Sequence, residues 1–334
     1  MITDLFVIAS GIDPDAVMRA VPPSCRRPID PRPAVTTASG DTVIESPIWT
    51  PRSPARHFVP AFALLSQQEC SIRFELAVDV AGEWSPWVGA ASIGSSTFTP
   101  IPSNGDTLHC DIDVFTSREL ATRVRYRVRV RTDGPTPVSS LHWLATLSAC
   151  DLATDGASRR REPGRAARRV IDVPALSQME APSSLRHRIC SPTSVAMVLG
   201  RWDRPTDPAT LAAEMFHAAL DLYGVWPAAI RAAGRRGVAG YLLRFPDWES
   251  AAWCLENGVP IVASVRYEAG ELSGAAIPAT EGHVLVVTGY DGDDVLVNDP
   301  AAPSRAEVPR RYRRDEILDV WLRRAGVGYV FFEV

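Results

Sequence analysis

No lysine occurs in the chain; all 35 of its basic residues are arginine. That absence excludes Schiff-base chemistry and a Walker-type phosphate lysine. Paired cysteines are missing too. Cys25, Cys70, Cys110, Cys150, Cys190 and Cys254 lie far apart, with no Cys-x-x-Cys and no paired Cys/His spacing. Neither a zinc site nor a dithiol motif is expected, although the count leaves disulfides open. Apolar runs are too short to cross a bilayer. Residues 1–20 carry Asp4, Asp13 and Asp15 ahead of Arg19, which is not the pattern of a secretory signal. A cytoplasmic protein is the expectation.

At 334 residues and 46% hydrophobic content the chain suits two domains with ample cores. Its net charge of -4 hides an uneven distribution. Residues 1–157 hold 17 carboxylates against 13 arginines and residues 170–334 hold 21 against 16, while 158–169 hold six arginines and one glutamate. Two acidic domains joined by an arginine-rich linker follow from that partition. Clustered arginine attracts phosphate, but no aromatic side chain is interleaved there to stack on bases, so nucleic acid is not an expected partner.

The first domain, 1–157, reads as β. Prolines crowd residues 21–60 and break helices and central strands, giving an irregular, extended border. Alternation follows in Ile72, Phe74, Leu76 and Val78; in Leu108, Cys110, Ile112 and Val114; in Val124, Tyr126, Val128 and Val130; and in Leu141, Trp143, Ala145 and Leu147. Period two with one apolar face marks half-buried strands. With no convincing amphipathic helix among them, they predict an antiparallel β-sandwich. Arg123, Arg125, Arg127, Arg129 and Arg131 share the other face of the third strand, read as a solvated face or else as a binder of phosphate, sugar carboxylates or nucleic acid. Trp84 and Trp87 read as sandwich core, or as a platform for a sugar. A peptide or glycan ligand is the alternative that such a surface leaves open for this domain.

Beyond Val170 the pattern changes to helices followed by strands. Asp207-Pro208 opens a helix towards Leu220, Trp226-Pro227 opens a second, and Asp247 caps a third that stops at Asn257-Gly258. Strand-like runs cover 261–267, 283–290, 295–298 and 329–334, with a helical stretch near 316–324 before the last. This order predicts an α+β domain over 170–334, not a doubly wound one.

Residues 186–200, Arg-His-Arg-Ile-Cys-Ser-Pro-Thr-Ser-Val-Ala-Met-Val-Leu-Gly, hold the strongest chemical signal. Pro192 suits a first helical turn, Val195, Met197, Val198 and Leu199 give an apolar body, and Gly200 gives a stop. Cys190 thus sits at a helix N-terminus, where free N–H groups and the dipole favour thiolate. The alternative is a small buried apolar side chain. His283 begins the run Val-Leu-Val-Val and Asp299 ends Val-Leu-Val-Asn, so both fall at the open end of one hairpin turning near Gly292-Asp293. A symmetric hairpin sets His283 opposite Ala302, roughly 10 Å along the strand from Asp299. A bulge, for which Gly289 is the natural position, or another turn register must close that gap. Cysteine, histidine and aspartate supply a nucleophile, a base and a group that orients the imidazole. Gln178, upstream, offers a side-chain amide to a developing oxyanion.

Val-Pro-x-x-Ser-Gln, Cys-x-Pro-Thr-Ser-x-Ala-Met-Val-Leu, Gly-His-Val-Leu-Val-Val-Thr-Gly-Tyr and Val-Leu-Val-Asn-Asp-Pro occur in that order. Together they resemble the C39-like peptidase family of the papain-like cysteine protease fold, over residues 170–334. Residues 60–150 resemble, more weakly, the β-rich domain that precedes the peptidase in some bacterial members. The resemblance implies Cys190 as nucleophile, His283 as base and then acid, Asp299 as orienter and Gln178 as oxyanion donor, with no cofactor and a peptide or protein substrate. This chain has Ser191 where the family usually has glycine, and Val225 where asparagine is common. The same triad serves acyl transfer of transglutaminase or amidase type, and a peptide- or glycan-binding protein without turnover is the non-enzymatic alternative. Residues 268–280 read as a loop over the cleft or as a plain surface loop.

Overall fold

The computed structural model describes residues 1–29, 33–38, 40–152 and 168–334. It is a mixed α/β structure with mostly antiparallel sheets. Two compact units form: Met1–Thr154 with Trp226–Leu242 and Val334, and Asp155–Val225 with Leu243–Glu333. Most of the expected linker lies outside the described residues, and Trp226–Leu242 groups with the first unit although in sequence it lies between the two pieces of the second. The helices are α1 (Pro14–Ala20), α2 (Cys190–Arg201), α3 (Pro208–Met215), α4 (Trp226–Gly234), α5 (Trp248–Glu256) and α6 (Arg314–Ile317).

The first unit holds β1 (Thr3–Ser10), β2 (Ala34–Ala38), β3 (Asp41–Glu45), β4 (Ala55–Leu64), β5 (Cys70–Val80), β6 (Glu83–Trp84), β7 (Val88–Gly89), β8 (Leu108–Asp111), β9 (Val114–Ala121), β10 (Arg123–Thr132) and β11 (Trp143–Cys150). One sheet runs β1-β11-β4-β9-β8; the other runs β2-β3-β10-β5-β6, with β7 also on β5. Phe58, Phe62, Phe74, Phe115, Tyr126 and Trp143 are buried, and the Tyr126 hydroxyl on β10 donates to the Ala61 carbonyl on β4 at 3.1 Å. The proline-rich border is more regular than expected, for it contains β2, β3 and the start of β4. Pro60 sits inside β4 beyond the last β4–β9 pair, where a residue without an N–H is tolerated. Residues 108–114 are a hairpin, not one strand: Ile112 takes φ 57° at the turn between β8 and β9, a left-handed conformation rare for a β-branched residue.

Helix α1 was not foreseen either; Asp13 caps it by accepting from the Asp15 N–H, with Pro14 at its start. Helix α4 belongs to this unit because small residues let it lie against β4. A Cβ on Gly234 would stand 2.7 Å from the Leu64 carbonyl oxygen. Its first N–H, on Trp226, bonds the Asp113 carboxylate at 2.7 Å, and burial pushes that carboxyl up to about 7.

The five arginines of β10 lie on a half-exposed face, and each is paired there with a carboxylate. Arg123 pairs with Asp79, Arg125 and Arg127 with Glu45, Arg129 with Glu75, and Arg131 with Asp41. Trp84 and Trp87 are half-buried beside them and are not core, because their rings take arginine guanidinium groups, the closest being Arg127 at 3.8 Å from the Trp87 centroid. Glu75 is fully enclosed in this ladder. It accepts from buried Arg73 at 2.6 Å and from Arg129, and it lies 3.9 Å from Arg127. Glu75→Ala strands the Arg73 charge in the interior, so urea unfolding should show a loss of about 3–5 kcal/mol.

The second unit contains β12 (Arg168–Val170); β13 (Ala239–Arg244) falls across the division; then come β14 (Ile261–Tyr267), β15 (Thr280–Asp291), β16 (Asp294–Asn298), β17 (Pro309–Arg313) and β18 (Val327–Phe332). Strands β18-β14-β15-β16-β17 are neighbours in that order, and β12 joins β15. Asp207 and Asp247 cap α3 and α5 through the Thr210 and Ser250 N–H groups, although α3 stops at Met215, short of Leu220. Helix α2 is buried on every side from Ser191 to Leu199, which is why Val195, Met197, Val198 and Leu199 pack with no exposed face between them.

Candidate active site

Cys190 is the first residue of α2. Ile189 ahead of it makes no side-chain cap, so first-turn N–H groups remain for another acceptor. The groups that act on the ionisation of the sulfur are the His283 imidazole and the backbone N–H groups of Val284 and Ser191. The Ser194 hydroxyl reaches the Val284 carbonyl at 3.4 Å, pinning α2 to β15 one residue from His283. The Ser191 side chain, which stands where the family usually has glycine, is buried with its hydroxyl 3.4 Å from that of Tyr329. Val225, the other departure, is buried.

His283 lies on β15 opposite Val265 of β14, and its Nε2 bonds Asp299 Oδ1 at 2.8 Å. The hairpin explains how they meet. Asp291↔Asp294, Tyr290↔Val295 and Gly289↔Leu296 follow one register; Val287↔Val297 and Val286↔Asn298 follow another, displaced by one residue. Continued in the first register, Asp299 would oppose Val286 and take the face away from His283. In the second it opposes Leu285, on the His283 face and two residues, about 7 Å, further along. The bulge at 288–289 thus selects the face of Asp299, and the imidazole spans what remains. Gly289 has no room for a side chain, since a Cβ there would lie 2.1 Å from the Arg169 carbonyl oxygen on β12. Gly289→Ala should detach β12 or shift the bulge; a loss of about 1–3 kcal/mol in thermal unfolding, with a fall in turnover, is expected.

Asp299 is fully buried and fully bonded. Besides His283, Oδ1 accepts from the Ala301 N–H at 3.0 Å and Oδ2 from the Tyr312 hydroxyl at 2.9 Å. Tyr312 escaped the sequence reading. Its only signal is that it is the one bulky apolar side chain in the strand Pro-Arg-Arg-Tyr-Arg, so it is the residue that turns inward. Gln178 is buried near the same loop: its N–H bonds the Pro300 carbonyl at 2.8 Å, and one amide hydrogen goes to the Arg186 carbonyl at 2.7 Å. Its Oε1 is buried without a partner. Residues 268–280 are tied down by Glu271 to Arg324 at 2.7 Å, Ser273 to Glu316 at 2.8 Å and the Gly274 carbonyl to Arg310 at 2.9 Å.

Burial alone raises the Cys190 thiol, but the bond and charge of His283 and the two N–H groups outweigh it and hold the thiol below its ordinary value. Burial likewise lowers His283, yet Asp299 and the sulfur push it up to about 10. Burial raises Asp299, and His283, the Ala301 N–H and Tyr312 bring it below the usual carboxylate range. Cys110, the other half-exposed cysteine, goes the opposite way: burial first, then Asp113 and Asp111, push its thiol up. Among the described residues no group of three or more His, Cys, Asp and Glu side chains is arranged to hold a metal ion, and no helix is long and apolar enough to cross a membrane.

A thiol beside an imidazole that is itself bonded to a buried carboxylate is the chemical equipment of thiol-dependent acyl-group enzymes. The span that carries them, residues 170–329, matches the Peptidase_C39 like family, which bears out the resemblance seen in the motifs and points to a cysteine peptidase acting on peptide or protein. A solved structure described as a "putative C39-like peptidase from Bacillus anthracis" aligns at 16% identity and TM-score 0.39, covering 50% of this chain and 98% of that one. No curated protein matches the chain.

Proposed function

We propose that the second unit is a papain-like cysteine peptidase with Cys190, His283 and Asp299 as its triad. The observation that carries this reading is the His283–Asp299 bond of 2.8 Å, with the Cys190 thiol close enough to the same imidazole for each to shift the other's ionisation. With Nε2 committed to Asp299, Nδ1 is the nitrogen left for the thiol proton. The thiolate attacks the scissile carbonyl, forming the C–S bond, and the oxyanion is held by N–H groups at the start of α2 and by the second amide hydrogen of Gln178. The imidazolium then protonates the leaving amine as the C–N bond breaks. Water, deprotonated by His283, cleaves the thioester and restores the thiol. The two sheets of the first unit are read as a sandwich, making a two-domain enzyme.

A thiolate–imidazolium pair at rest predicts the pH behaviour. The depressed thiol and the raised histidine keep the pair charged from below the ordinary thiol range up to about 10. Alkylation by iodoacetamide, followed by peptide mapping, should label Cys190 well below pH 8 and leave Cys110 untouched. In His283→Ala the Cys190 profile should move to higher pH. A Cys190 that resists labelling in the folded chain while denatured protein labels fully would end the enzyme reading.

A further inference from the structure

Trp84 and Trp87 have no part in the peptidase chemistry, and both line a cleft of about 790 Å³ in the first unit. Its other walls carry Asn104, Asp106, Arg118 and Glu119. These four are exposed, and among the described residues their side chains hold no hydrogen bond or ion pair, in a domain where most arginines and carboxylates are paired. The volume lies in the range of about 300–1,000 Å³ usual for small-ligand sites.

The indoles are held before any ligand arrives. Arg123 and Arg125 lie 5.4 and 5.7 Å from the Trp84 centroid, and Arg125 and Arg127 lie 5.2 and 3.8 Å from that of Trp87. Those arginines are themselves fixed by Asp79 and Glu45. A pre-set aromatic surface loses little entropy on binding, and flat C–H faces of sugar rings suit it. Vicinal hydroxyls suit the free amide and carboxylates beside it. Glu83, Asp106 and Glu119 outnumber Arg118, which disfavours a polyanion. The adjacent edge strand β6 is two residues long, too short to pair an extended peptide backbone.

We propose that this cleft binds a neutral oligosaccharide, with Trp84 and Trp87 stacking on its rings and Asn104, Asp106 and Glu119 bonding its hydroxyls. The site is independent of the peptidase reading. Titration calorimetry and tryptophan fluorescence on the full chain, with chitohexaose, cellohexaose, xylohexaose and maltohexaose as probes, provide the test. At least one probe should bind to a single site with Kd below about 1 mM, and Trp84→Ala or Trp87→Ala should weaken it at least about tenfold. Trp87→Phe should keep part of the affinity, Asp106→Ala and Asn104→Ala should weaken it without changing the unfolding temperature, and Cys190→Ala should leave it unchanged. Absence of binding by all four probes up to about 10 mM overturns the proposal. So does affinity that survives the tryptophan and Asp106 variants, or a proline-rich peptide or heparin that binds this cleft in their place.

Discussion

Cys190→Ala is expected to lower peptide hydrolysis by about 10⁴-fold or more and to move the thermal midpoint by no more than a few degrees. The kinetic effect is large because nothing nearby can replace the sulfur. Ser191 is adjacent in sequence, but its hydroxyl is buried towards Tyr329. Cys110 is a thiol in the other unit, held protonated by burial and two aspartates. What survives should be the modest rate that oxyanion donors and binding give alone. The stability effect is small because Cys190 is only half-buried, and alanine is a good helix former at the start of α2, whose core residues are untouched. Hydrolysis of a peptide library, followed by mass spectrometry, measures the first effect, and calorimetry the second. A variant with more than about a tenth of the parent rate would remove Cys190 from the mechanism.

Asp299→Asn should cost about 10²- to 10⁴-fold in kcat/KM and shift the pH–rate profile. Asparagine fills the same space but carries no charge. His283 owes its rise to about 10 first to Asp299, against burial that lowers it. Without that carboxylate the imidazolium gives up its proton at lower pH, so the alkaline limb of activity moves acidward, towards or below histidine's ordinary value near 6.5. The thiol then loses its cationic partner and its own ionisation moves upward. The window in which both groups are charged narrows from both sides. Orientation suffers too, because Asp299 accepts three hydrogen bonds and an amide set in the same place must turn a donor towards one of those partners. NMR titration of the His283 ring alongside the pH–rate profile separates charge from position. An unchanged alkaline limb would show that Asp299 does not tune the histidine.

The parts of the chain legible in sequence are those fixed by local chemistry. Pro192 behind Cys190, Asp207 and Asp247 as caps, and the alternation in β5 and β10 each state their structure within a few residues. What escaped depends on distant partners. The β10 arginines alternate as a solvent face would; their carboxylates lie on β3 and β5, and only pairing the strands reveals an ion-pair ladder. The turn at Ile112 carries no glycine or asparagine to announce it. Helix α4 reads as part of the second half until Gly234 is seen against Leu64 and Trp226 against Asp113. In the candidate site the residue types Cys190, His283 and Asp299 are visible at the ends of elements, but their meeting turns on a single extra residue near Gly289, and Tyr312 has no signal beyond its isolation among arginines.

That extra residue also divides the β15–β16 hairpin into two pieces of opposite phase. Residues added at the Gly292-Asp293 tip lengthen the distal piece and leave the Val286↔Asn298 pairing as it is, whereas one residue inserted between 284 and 287 turns His283 to the far side of the sheet. For protein engineering the base of the hairpin therefore admits substitution but no change of length, whereas a residue added at the tip keeps the base intact only if it leaves Asp293 on Arg314, whose N–H and guanidinium it binds.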